Sequence, residues 1–261
     1  MAANLQAGDG NRTGADTAAD EQAWIESPDG WGDKDEREGY FDLFGGSDPH
    51  QSFDFSVKGE GGASKTIRLK GFKLDSNETA QSTGVTMWKA APRLADFLQS
   101  NPELCKGKSV LELGAGLGLV GMTALLQGAE SVVMTDGDSQ TLAQMRLNVK
   151  DNCSADECET ISCRQLLWGS PQMDVFEKQC GRFSTILGAD VIYTAESIEP
   201  LFDTVACLLD KPRGKFVLSR YNKWNNVEND LIFDVAKRRS LKVDSAVSEG
   251  IFIFTWEDET A

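Results

Sequence analysis

The stretch LELGAGLGLVG, Leu111 to Gly121, can be read in two registers. From Gly116 it is G-L-G-L-V-G, which satisfies the G-x-G-x-x-G fingerprint of dinucleotide-binding loops. From Glu112 it is an acid followed at every second position by Gly114, Gly116 and Gly118. In either register the glycines do the same work. They let the backbone turn sharply after a strand and approach a ligand closely before a helix begins.

The chain around this loop supplies the strands and helices of an open sheet. Short apolar runs at "SVLEL", "SVVMT", "ISCRQLL", "FSTILGA" and "KFVLS" alternate with segments long enough for helices, such as "DSQTLAQMRLNVKDN" and "ESIEPLFDTVACLLD". Near-continuous apolar strands alternating with helices predict a parallel sheet covered on both faces. The last two runs, "LKVDSAVS" and "IFIFTW", are joined only by Glu249-Gly250, too short for a parallel crossover, so they pair antiparallel. Upstream, "FDFSV" and "TIRLKGF" alternate about "KGEGGAS" and predict a β-hairpin. "MWKAAPRLADFLQS" then has helical spacing at Leu94, Phe97 and Leu98, with Pro92 tolerable near the first turn. The predicted fold is α/β: a Rossmann-like, seven-stranded, mostly parallel sheet with a C-terminal antiparallel hairpin, helices on both faces and an N-terminal β-hairpin extension.

The two registers imply different ligands. A dinucleotide needs an anion site at the helix N-terminus. S-adenosylmethionine (SAM) carries no phosphate. It has a sulfonium cation beside an amino-acid end, and asks for backbone room plus an acid near the strand end, for which Glu112 is a candidate. A second acid should close the next strand and hold ribose hydroxyls, and "VVMTDGD" supplies Asp136. That acid does not discriminate, since dinucleotide folds carry one too. Glu112 is outside the dinucleotide fingerprint, and the terminal antiparallel hairpin is foreign to the usual dinucleotide topology. Together they favour SAM.

Ligands of open parallel sheets lie across the carboxyl ends of the strands. There "GADVIY" offers Asp190 and Tyr193. Asp190 reads either as an N-cap for the helix that follows or as a catalytic carboxylate. Methyl transfer is an in-line displacement at a carbon the sulfonium already activates, so an enzyme has mainly to position the nucleophile. An amine must be neutral to attack. A carboxylate can orient it and accommodate its charge, and an aromatic face can contact the methylated cation.

"TGVTMWKAAPRLADFL", "VLELGAGLGLVG", "VVMTDGD", "LLW" and "GADVIY", in this order, resemble the seven-β-strand methyltransferases of lysine methyltransferase family 16, over about residues 53–256. The resemblance implies SAM as cofactor. It implies a cofactor pocket bordered by Trp88, the loop from Gly114 through Ala115, Gly116 and Gly118, Asp136, Trp168 near the adenine, and Ala189. It implies Asp190 and Tyr193, a D-x-x-Y, beside the acceptor, which in the family is mostly a protein lysine. "SRYNKW" follows the fifth strand, where Arg220 and Tyr221 are candidates to face the acceptor. Rival readings are a small-molecule N- or O-methyltransferase on the same fold, a nicotinamide oxidoreductase, and a catalytically silent SAM-fold module.

Charge and composition narrow the partners. Net charge is −15 over 261 residues. Residues 1–48 hold twelve acids and three bases, so −9 of it lies there and −6 in the rest. An excess of acid without a basic patch speaks against a nucleic-acid partner. Residues 1–48 read as an acidic, disordered tail, and 49–261 as the methyltransferase domain, with the hairpin in 49–85 and the catalytic core in 86–261. No run approaches the roughly 18 apolar residues of a membrane span. The N-terminus has no basic n-region or apolar h-region, so no secretory signal is expected. The six cysteines form no C-x-x-C pair and lie far in sequence from the one histidine, His50. They read as reduced thiols rather than a metal site. The expectation is a monomer in the cytoplasm, also in the nucleus, acting on a protein lysine.

Overall fold

The computed structural model describes residues 48–221, 227–244 and 250–257. The N-terminal tail up to residue 47 therefore lies outside the described residues, as do 222–226, which take in the end of "SRYNKW", and 245–249 between the last two strands.

The chain opens with a hairpin of β1 (His50–Lys58) and β2 (Ser64–Phe72), a separate two-stranded antiparallel sheet. A short helix α1 (Asn77–Gln81), capped by the Ser76 side chain, and a 3₁₀ turn (Thr83–Val85) lead into α2 (Ala90–Ser100). The region 49–85 is thus a hairpin plus a helical strap. Pro92 is the third residue of α2, inside the first turn, where its missing N–H has no intrahelical partner to lose.

The main sheet is built from β3 (Ser109–Leu113), β4 (Ser131–Asp136), β5 (Ile161–Gln165), β6 (Thr185–Ala189), β7 (Lys215–Ser219), β8 (Leu241–Asp244) and β9 (Ile251–Trp256), in the order β5-β4-β3-β6-β7-β9-β8. The parallel strands read from the sequence are all present. The C-terminal hairpin is antiparallel, as expected, but it is not appended in chain order. β9 inserts between β7 and β8 and pairs antiparallel with both, so β8 runs in the direction of the parallel strands and β9 alone is reversed.

The helices α3 (Leu119–Leu126), α4 (Ser139–Asn152), α5 (Ala155–Thr160), α6 (Met173–Cys180), α7 (Ile198–Leu208) and α8 (Asn229–Arg238) complete the fold. Alternate strand residues feed two cores. Val110, Leu187 and Val217 pack with Leu94 and Leu98 of α2, Val120 of α3 and Met145 of α4. Their neighbours Leu111, Ile186 and Phe216 pack with Phe176 of α6, Phe202 of α7 and Val235 of α8. This two-sided burial is why the strands are apolar throughout rather than alternating. α3 is buried nearly all round, consistent with its apolar sequence LVGMTALL.

The hairpin is tied to the core by a device the sequence did not announce. Asn148 of α4 accepts the Lys70 N–H at 2.9 Å and donates to the Lys70 carbonyl at 3.1 Å. One turn on, Asn152 does the same for Arg68, at 2.7 and 2.8 Å. Two side-chain amides thus stand in for a neighbouring strand and close the edge of β2.

Candidate active site

The strand order reverses between β3 and β6, whose neighbours β4 and β7 lead away on opposite sides. At such a switch point the loops after the strands part and leave a crevice. A cavity of about 620 Å³ opens there, lined by residues that follow β3, β4, β5 and β6 and by the strap before α2. That volume is within the usual range for a small-molecule site.

The glycine loop forms one side. Gly114 and Gly116 have φ of +63° and +54°, in the left-handed region where a side chain is strained. Space is short as well. A Cβ on Gly114 would stand 2.8 Å from the Val191 side chain and 3.4 Å from the Trp168 ring, and one on Gly116 would stand 3.2 Å from the Gly84 carbonyl oxygen. Asp136 ends β4 beside the loop. Its carboxylate accepts the Gly116 N–H at 3.2 Å on one oxygen and the Asp138 N–H at 3.1 Å on the other. Burial raises its pKa, and these two amides pull it back. Each oxygen keeps a lone pair for a further donor. Trp88, Trp168 and Ala189 also line the cavity, as expected. The Trp88 indole donates to the Thr83 carbonyl at 2.8 Å.

Three residues expected at the cofactor are not at the cavity. Glu112 is buried beneath the loop, 2% exposed, and accepts the Gly121 N–H at 2.7 Å in the first turn of α3. Burial pushes its carboxyl up to about 8. It braces the start of α3 from below and is not among the residues that line the cavity. Ala115 donates its N–H to the Thr135 carbonyl and belongs to the loop's floor. Gly118, at φ +91°, is the residue from which α3 starts, packed over Met134, Met145 and Met122.

Asp190 and Tyr193 follow β6 and both line the cavity. Asp190 has φ +52°, uncommon for a residue with a side chain but tolerated by Asp. Its carboxylate is held from two distant segments. Oδ1 accepts the Tyr221 N–H at 2.9 Å, just after β7, and Oδ2 lies 3.4 Å from the Ala90 N–H at the start of α2. The N-cap alternative is thereby corrected. Thr194 precedes the next helical turn, and the helix that Asp190 meets is α2, a hundred residues earlier. Burial raises the Asp190 pKa, opposed by these two amides and by the charges of Arg220 and Arg93.

Around Asp190 the rim is aromatic. Tyr193 and Tyr221 are 53% and 44% exposed, unusual for such large side chains. Lys89 and Arg93 sit over the Tyr221 ring at 5.1 and 5.2 Å from its centroid. Arg220 does not share this role. It is buried and its guanidinium bonds Asn229 Oδ1 at 2.6 Å and the Val227 carbonyl at 3.1 Å, tying β7 to α8. Sequence reasoning also missed Gln81, Ser82, Thr83 and Gly84 of the strap, and Asp138, all of which line the cavity. Only Asp138 left a signal, as the N-cap before "SQTL".

The profile of the family described as "Lysine methyltransferase" matches residues 70–238, well over half of the chain. The chain belongs to that lysine methyltransferase family. The match takes in β3 to α8 and every cavity residue named above. Among curated relatives, a protein N-lysine methyltransferase METTL21A of Xenopus tropicalis is 36% identical over 147 residues, 54% of this chain and 64% of that protein. A calmodulin-lysine N-methyltransferase of Arabidopsis thaliana is 30% identical over 152 residues, 58% of this chain and 49% of that one. The matched part thus spans less than two thirds of these relatives. Among solved structures, a SAM-dependent methyltransferase from Agrobacterium tumefaciens superposes with a TM-score of 0.52 at 14% identity, over 79% of this chain and 70% of that one, a likeness of fold.

Proposed function

We propose that this chain transfers a methyl group from SAM to the ε-amine of a lysine in a protein. The observation that carries the reading is Asp190. A half-buried carboxylate is clamped by two backbone amides from distant segments, at the junction of a glycine-lined cavity and an aromatic rim. The family match and the lysine methyltransferases among its relatives support the same reading.

The residues present fit SAM. Gly114 and Gly116 line the cavity in left-handed conformations that a side chain would strain, and Asp136 has acceptor capacity for ribose hydroxyls. When bound, the cofactor supplies a methyl group activated by its sulfonium. The chain's own part is to bind, orient and deprotonate. Asp190 receives the acceptor lysine and aims its Nζ. Its carboxylate, within reach of that nitrogen, takes a proton from it and leaves the lone pair free for attack. Trp88, Tyr193 and Tyr221 line or border the mouth. They exclude water from the lysine stem, and the ring faces of Trp88 and Tyr193 attract the methylated cation.

The net charge of −15 favours a protein over a nucleic acid as partner. No helix among the described residues is long and apolar enough to cross a membrane. The six free cysteines support the cytoplasm or nucleus as its compartment.

The test is transfer of label from methyl-labelled SAM in an extract of the source cells, with Asp190→Ala as control. A protein band absent from the control, with the label on lysine after hydrolysis, supports the reading. Label confined to small molecules turns it to the small-molecule rival, and no transfer by either protein removes it.

A further inference from the structure

The strap between β2 and α2 is held against the cavity by a small polar knot. Ser82 is 5% exposed, and its hydroxyl donates to Asp138 Oδ2 at 2.6 Å. The Thr141 hydroxyl, fully buried, lies 2.8 Å from the Ser82 hydroxyl oxygen. Since Ser82 has one proton and gives it to the carboxylate, Thr141 is the donor in that second contact. The same Asp138 oxygen accepts the Thr141 N–H at 2.7 Å and so caps α4. Ser82 thereby fastens the strap to the cap of a helix that begins three residues after Asp136.

Two further contacts show that the strap has no slack. A Cβ on Gly84 would stand 2.5 Å from Thr141 Oγ1, so only glycine lets the strap lie this close to α4. The Gly84 carbonyl in turn sits against Gly116 of the glycine loop. Gln81, Ser82, Thr83 and Gly84 all line the cavity, and the Trp88 indole is braced on the Thr83 carbonyl. One knot therefore bears on three walls: the strap itself, Trp88 through Thr83, and Asp136, whose Oδ1 holds the Asp138 N–H.

We propose that Ser82 is a positioning residue for the cofactor. Its hydrogen bond to Asp138 latches the strap as a wall of the SAM site, so that the hold on the ligand depends on a residue in the N-terminal extension. The inference rests on the reading of the cavity as a SAM site and adds to it a determinant of affinity.

Titration calorimetry of the full chain with SAM and with S-adenosylhomocysteine tests it, using wild type, Ser82→Ala and Gly84→Ala. Ser82→Ala is expected to bind both ligands roughly tenfold more weakly, within the usual span of coupling between contiguous elements. Stopped-flow displacement should show the loss in the dissociation rate, with association little changed. Gly84→Ala, which forces the strap off α4 by a different route, should weaken both ligands at least as much. Thermal unfolding without ligand separates this from damage to the fold, because a merely structural serine would lower the melting temperature and leave the affinity of the folded fraction unchanged. Wild-type binding with unchanged affinity and dissociation rate in Ser82→Ala overturns the inference. Failure of wild type to bind either ligand removes the SAM reading itself, and the inference with it.

Discussion

The two ends of the cavity are built in different ways. The glycine-loop end comes from residues close together in sequence: Gly114, Gly116 and Asp136 span two consecutive strands and the helix between them. The Asp190 end is assembled from segments far apart. Its carboxylate meets Ala90, a hundred residues upstream, and Tyr221, thirty-one residues downstream. A ligand held by backbone near one βαβ unit needs only a local motif. An acceptor that must meet an aimed carboxylate needs three elements in register, because methyl transfer depends on position within a fraction of an ångström.

The comparison can be broken or sharpened experimentally. Asp190→Ala should give the largest effect, a fall in transfer rate of roughly 10²- to 10⁴-fold, the span expected for loss of a positioned acid–base group. Its SAM affinity, by calorimetry, should stay near wild type. Asp136→Ala should do the converse, weakening SAM binding by roughly ten- to a hundredfold, as removal of a charged hydrogen-bond acceptor does. Equal losses of SAM affinity in the two variants would mean that the ends are not separate.

Asn148→Ala probes the tie between hairpin and core. It strips partners from the Lys70 N–H and carbonyl and from the Leu117 carbonyl, and should cost about 2 kcal/mol in denaturant unfolding. An unchanged midpoint would show that water replaces the amide at no cost. The last test is a pH profile at Glu112. Its carboxyl titrates near 8 in the folded chain against 4.5 unfolded, so the folded state binds the extra proton between those values. Its contribution is therefore complete below about pH 4.5 and is lost as pH rises through about 8. Glu112→Gln should flatten the decline of the melting temperature between about pH 4.5 and 8. A decline unchanged in the variant would mean that Glu112 is ionised in the fold.

Much of the fold was legible for a simple reason. Strands buried on both faces are apolar throughout, and helices between them need a fixed length of chain, so β3 to β7 announced themselves. Their ligand-side residues followed from the rule that open sheets bind at strand ends, which brought Gly114, Asp136 and Asp190 to one cavity. Glu112 was misread because the sequence locates an acid near the loop without saying on which side of the backbone it lies. A carboxylate below the loop serves α3, and one above it would serve the ligand. Arg220 was misread for the same reason, since the residue after a strand end can turn to the rim or to the neighbouring helix. Ser82 left no signal, because a serine in a polar stretch is indistinguishable from any other until Asp138 is opposite it.

The amino-acid sequence alone determined the α/β class, the number and kind of strands, the reversed C-terminal hairpin and the acid–glycine loop at the ligand end. These depend on periodicity and on local backbone freedom, which short stretches encode. The insertion of β9 between β7 and β8, the clamp on Asp190, the Asn148 and Asn152 edge and the Ser82 latch were decided only by tertiary structure. Each is a hydrogen bond or a strand pairing between residues thirty or more positions apart or between competing neighbours, and its partner exists only once the chain has packed.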